Sequence, residues 1–134
     1  MMKRLQFVSF INERIDDMKT VLVADDNEDL RHIFVRAFDR KLFDVHQAKD
    51  GAEALHYIQQ TPPDIIILDI DMPKLSGLEV LKYLKDNHYH SKVILVTGNS
   101  MMADVPQAND ADLVLVKPVS IKELVTFVSR FTNE

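Results

Sequence analysis

Four short polar groups close apolar runs, and their side-chain types together describe a site for an oxyanion. Asp25-Asp26 follows TVLVA (20–24), Asp69 ends DIIILD (64–69), Thr97-Gly98 ends KVILVT (92–97) and Lys117-Pro118 ends DLVLVK (112–117). If these ends converge, three carboxylates share one pocket and each raises its neighbours' pKa unless a cation intervenes. Lys117 supplies one positive charge. A hard divalent ion with oxygen ligands would supply the rest, and Mg2+ suits a site with few protein ligands and spare waters. A pocket that holds an oxyanion against a metal and a lysine fits phosphoryl transfer to a carboxylate.

Each group taken alone has a plainer explanation. Paired aspartates before a helix are often an N-terminal cap with favourable dipole charge. Thr-Gly and Lys-Pro after strands are ordinary turn chemistry. Asp69 resists such an account, because four apolar residues lead into it and a buried unpaired carboxylate costs several kcal/mol. The plain explanations would have to coincide at four strand ends of one fold. The histidines differ: only His88-x-His90 is closely spaced, within a polar loop, so all five (His32, His46, His56, His88, His90) read as surface residues. Met101-Met102 reads as helix packing.

The elements that position these residues follow from patterning. With FDVHQA (43–48) there are five apolar runs, three of them near-continuous in Val, Ile and Leu. Strands buried on both faces of a parallel sheet have this composition. Between them, Leu30, Ile33, Phe34, Ala37 and Phe38 make a helical stripe. Ala54, Leu55 and Ile58 make a second, Leu78, Leu81 and Leu84 a third, and Ile121, Leu124, Val125 and Val128 the last. Ser76-x-x-Glu79 and Ser120-x-x-Glu123 are capping boxes, and Pro62-Pro63 stops the second helix. The order is (βα)5. Right-handed crossovers then predict an α/β, flavodoxin-like, doubly wound five-stranded parallel sheet, its crevice at the carboxyl ends of the strands. The fourth helix, within NSMMADVPQAND (99–110), is expected to be short or irregular. Residues 1–18 form an N-terminal extension. Phe7, Val8, Ile11 and Ile15 share a helical face there, so an extra helix or an upstream extension before Met18 both stay open.

Composition excludes several classes. The chain has 134 residues, 46% hydrophobic and 28% charged, which is one globular domain rather than a disordered segment. The absence of Cys removes disulfides, thiolate zinc sites and thiol nucleophiles. A net charge of −5 argues against a broad basic face for nucleic acid. No apolar stretch is long enough to span a membrane, and Asn12-Glu13-Arg14 stands where a signal peptide needs small residues, so a cytoplasmic protein is expected.

Over residues 19–134 the sequence resembles the receiver domains of two-component response regulators. Asp25-Asp26, Asp69-x-x-Met72-Pro73-x-x-x-Gly77, Thr97-Gly98 and Lys117-Pro118 carry the resemblance, in order and at fitting separations. It implies that Asp69 is the phosphoacceptor. Asp26 would bind Mg2+ directly and Asp25 through water, with Asp69 and the Asp71 backbone carbonyl as further ligands. Thr97, Lys117 and the Gly98 amide, unobstructed by a side chain, would each take a phosphoryl oxygen, and the Lys117–Pro118 peptide would be cis. The implied donor is a sensor histidine kinase or a histidine phosphotransfer protein. The domain would catalyse only its own phosphorylation and dephosphorylation, as a monomer or a phosphorylation-dependent dimer. With no output domain after Glu134, output is expected through contact with a downstream protein or onward phosphotransfer. Val114 departs from the family, which commonly has Tyr or Phe there as a rotameric reporter. Asn109-Asp110-Ala111 replaces the usual Gly-Ala. Two other readings rank behind: a haloacid-dehalogenase-type phosphohydrolase using Asp69 and Asp71, and a receiver-fold adaptor that works without phosphate.

Overall fold

Every apolar run forms a strand, and every periodic stretch between runs forms a helix. The computed structural model describes residues 3, 4, 6 and 18–133. Along the chain come β1 (Lys19–Ala24), α1 (Glu28–Ala37), β2 (Phe43–Ala48), α2 (Gly51–Gln60), β3 (Ile65–Asp69) and α3 (Gly77–Asp86). They are followed by β4 (Lys92–Thr97), α4 (Ser100–Ala103), a 3-10 turn (Pro106–Asp110), β5 (Leu113–Val116) and α5 (Ile121–Thr132). All neighbouring strands are parallel, in the order β2-β1-β3-β4-β5. This is the flavodoxin-like arrangement expected from the sequence. Phe7, Val8, Ile11 and Ile15, on which the extra N-terminal helix rested, lie outside the described residues.

Alternate residues of the central strands feed two cores. Leu22, Ile66, Leu68 and Leu95 pack with Ala54 and Ile58 of α2 and Val80, Leu81 and Leu84 of α3. Val21, Val23, Ile65, Ile67, Ile94 and Val96 pack with Phe34 of α1, Phe38 just beyond it, and Leu124 and Val128 of α5. Each fully buried aliphatic side chain contributes roughly 1.5–3 kcal/mol, and β3, between β1 and β4, is buried throughout. Ser76 forms the full capping box with Glu79, whereas Ser120 accepts the Glu123 N–H without the return bond.

Two further expectations change. Ile33 is 50% exposed, because Leu30, Phe34 and Phe38, four residues apart, already form the line facing the core. Met101 is 78% exposed, since a four-residue α4 has no second turn to rotate it inward; only Met102 packs against the core. The α1 N-cap is Asn27, whose side chain accepts the Leu30 N–H, so neither Asp25 nor Asp26 serves as that cap. The fourth helix is short, as expected: four α-helical residues, then a 3-10 turn that starts at Pro106 and buries only Ala108.

Candidate functional site

Strand register brings the four polar groups together. Ala24 pairs with Leu68, so Asp25 and Asp69 leave neighbouring strands at the same level. Asp69 pairs with Val96 and Thr97 with Val116, which carries Thr97 and Lys117 to the same end of the sheet. Asp25, Asp69 and Thr97 are buried, while Asp26, Asp71 and Gly98 face solvent. The Lys117–Pro118 peptide is cis.

Lys117 Nζ stands 3.3 Å from Asp25 Oδ2 and 3.2 Å from Asp69 Oδ2, bridging the two buried carboxylates. The other oxygen of each aspartate accepts a backbone N–H two residues on, from Asn27 to Asp25 at 2.9 Å and from Asp71 to Asp69 at 3.1 Å. Both acids are therefore fixed on two sides. Burial, reinforced by the Asp25 charge, pushes the Asp69 carboxyl up to about 6, against the pull of the Asp71 N–H and Lys117. Burial lowers the Lys117 pKa, but Asp69 and Asp25 outweigh it and hold the ammonium's pKa above its ordinary value.

One lysine does not balance the acids. Asp25, Asp26 and Asp69 each offer a ligand atom, all within 4.8 Å of one another. Closely spaced hard oxygens, with one of the three carboxylates open to water, fit a partly hydrated Mg2+ better than a soft metal. The Thr97 hydroxyl oxygen accepts the Asn99 N–H at 3.1 Å and lies 3.5 Å from Asp71 Oδ2. A Cβ at Gly98 would meet nothing within 4 Å, so in this state a side chain there would obstruct no protein atom. Val114 is half-buried against the α2–α3 core, with no ring at that position. Asp69-Ile70-Asp71 ends the third strand rather than the first, where the phosphohydrolase motif would lie.

Several supporting residues escape a reading by motif. Arg31 on α1 donates to the Asp25 carbonyl oxygen at 2.8 Å and to Gln47 Oε1 at 2.9 Å, tying the β1–α1 turn to β2. Gly77 packs so closely that a Cβ would stand 2.2 Å from the Asp69 carbonyl oxygen. Asp50, buried at the start of α2, pairs with Lys74 in the loop after Asp69. Asp50-x-x-Glu53 was the available signal, a cap preceding an apolar stripe. None of the five histidines is buried. Among the described residues no helix is long and apolar enough to cross a membrane.

Residues 21–129 match the family model described as response regulator receiver domain. The chain is 29% identical over 120 residues to the polar-differentiation response regulator DivK of Brucella ovis, covering 87% of this chain and 98% of that one. Among solved structures it is similar to the response regulator protein TrrA of Thermotoga maritima in complex with Mg2+ and BeF. That match has a TM-score of 0.78 and 32% identity, and covers 85% of this chain and 99% of that chain. The Francisella response regulator 1452 receiver domain is similar too, with a TM-score of 0.79, 32% identity and coverage of 86% and 97%.

Proposed function

Because this chain belongs to the response regulator receiver domain family, we propose that it accepts a phosphoryl group on Asp69 from a phosphohistidine. The observation that carries this reading is the bridge from Lys117 to two buried carboxylates, Asp25 and Asp69, at adjacent strand ends. Asp26, Asp69 and the Asp71 backbone carbonyl would hold Mg2+, with Asp25 reaching it through water. Bound there, the ion supplies positive charge against the phosphoryl oxygens.

A carboxylate oxygen of Asp69 attacks phosphorus. The O–P bond forms as the P–N bond of phosphohistidine breaks, and the bonding pair returns to the imidazole nitrogen, which is reprotonated. Lys117 pairs with one phosphoryl oxygen, the Thr97 hydroxyl donates to a second, and the Gly98 N–H is exposed for a further contact. Lys117 already stands beside Asp69, whereas the Thr97 hydroxyl must leave its Asn99 contact to reach the phosphoryl group. The donor is a sensor histidine kinase or a histidine phosphotransfer protein. The product signals by contact with a downstream protein or passes the group onward.

Incubation with acetyl phosphate or phosphoramidate and Mg2+ tests the assignment. One base-labile phosphoryl group per chain is expected, and none on Asp69→Asn. Labelling of that variant at the wild-type level overturns the assignment of the acceptor.

A further inference from the structure

Four polar or charged side chains are buried among the described residues: Asp25, Asp50, Asp69 and Thr97. Three belong to the site just described, and Asp50 does not. One of its oxygens accepts the Glu53 N–H at 2.7 Å, and the other faces Lys74 Nζ at 3.4 Å. The Glu53 N–H, with help from Lys74, holds this carboxyl below its ordinary pKa despite burial. Asp50 is therefore a fixed negative charge at the start of α2.

Lys74 lies in the loop between Asp69 and α3, three residues beyond Asp71. Its φ of 69° is in the left-handed region, which few residues other than glycine adopt. The same loop is gripped on both flanks. A Cβ on Gly51, next to Asp50, would stand 2.0 Å from the Leu75 carbonyl oxygen, and one on Gly77 would stand 2.2 Å from that of Asp69. Between these close approaches the Asp50–Lys74 pair is the one charged contact from α2 to the loop among the described residues. The loop also carries the Asp71 N–H that donates to Asp69 Oδ1 at 3.1 Å.

We propose that Asp50 and Lys74 form a latch that sets the Asp71 backbone, orienting Asp69 through the Asp71 N–H and the cation site through the Asp71 carbonyl. Both are positioning residues, since neither touches the phosphoryl group or the ion. The latch rests on the phosphoacceptor reading above, and its test is separable from it.

Asp50→Asn keeps a good N-cap and removes the charge. Lys74→Gln keeps a long side chain at the same φ and removes the other partner. Each should weaken Mg2+ binding, measured by calorimetry, about two- to five-fold, the range a partly exposed ion pair supports. The double variant should be no weaker than either single one, because both break the same contact. In metal-free protein the Asp71 amide resonance should shift in both variants, and Lys74→Arg should restore it together with the affinity. A merely structural pair would lower the melting temperature and leave these two readouts alone. Wild-type Mg2+ affinity with an unmoved Asp71 resonance in Lys74→Gln, an exposed site whose change leaves the core intact, overturns the latch. Asp69→Asn labelling is unaffected by that result and decides the phosphoacceptor reading by itself.

Discussion

The Thr97 hydroxyl oxygen accepts the Asn99 backbone N–H at 3.1 Å, and the Asn99 side chain accepts the Met101 N–H at 2.9 Å. The hydroxyl expected to meet a phosphoryl oxygen is thus tied to the N-cap of α4. Drawing Thr97 inward loosens that cap. Val114 is β-branched, with little χ1 freedom, and cannot swing as an aromatic ring would. Segment 98–110 buries only Ala108 and so opens at low cost. Hydrogen exchange with and without beryllofluoride should change most across 98–110, and Val114→Ala should keep that response. A change confined to 112–117 would show that the signal takes another route.

The raised carboxyl of Asp69 sets a pH dependence. Its folded-state pKa of about 6 lies above the ordinary 3.8, so the folded protein binds the proton more tightly than the unfolded chain. The associated stability is fully present below about pH 4 and is lost as pH rises through about 6. Asp50, shifted the other way, matters only below its ordinary value of 3.8. Urea unfolding in EDTA should therefore show stability rising from pH 7 towards pH 5. Asp69→Asn should flatten that slope and gain about 1–2 kcal/mol at pH 7. A wild-type profile that falls over this window contradicts the assignment.

Mg2+ should act most strongly where the acids are ionised. At pH 7 it should raise the melting temperature of the wild type, with a smaller increment at pH 5. Asp26→Ala should weaken Mg2+ binding about ten-fold or more, as expected for a lost carboxylate ligand, and slow phosphorylation by acetyl phosphate. Without metal the same variant should be slightly more stable, having shed one crowded charge. A metal-free variant clearly less stable than the wild type argues against carboxylate crowding.

The three glycines should separate by what surrounds them. Gly77→Ala and Gly51→Ala drive a methyl group into backbone carbonyls at 2.2 and 2.0 Å, and each should cost about 1–3 kcal/mol or more. Gly98→Ala meets open space and should change stability by less than about 0.5 kcal/mol. Chemical denaturation of the three variants under one set of conditions distinguishes them. Equal losses at all three positions would deny that close approach selects glycine at 51 and 77.

Most of the sheet is legible in sequence because strands buried on both faces leave no room for polar residues. Ile65 to Leu68 could hardly be anything else. The site is legible because its residues sit where those runs stop. Periodicity alone misplaced Ile33, since a stripe two residues wide does not say which side faces the core. Met101 was misread because an apolar side chain does not reveal how long its helix is. Arg31, Asn99 and Lys74 were invisible for another reason: each acts through backbone or a single partner far along the chain, and no spacing encodes that. Asp50 announced itself only as a cap.

The pairing of Ala24 with Leu68 joins residues far apart in sequence, and that of Thr97 with Val116 brings in a lysine from the last strand. No fragment shorter than residues 25–117 contains the site. The carboxylates cannot meet until β3 has docked beside β1, and they have no counter-charge until β5 closes the edge. Contacts of such sequence separation carry a loop-closure cost that local contacts do not. On the proposed reading, capacity to take up phosphate would report that β1, β3, β4 and β5 have assembled in register.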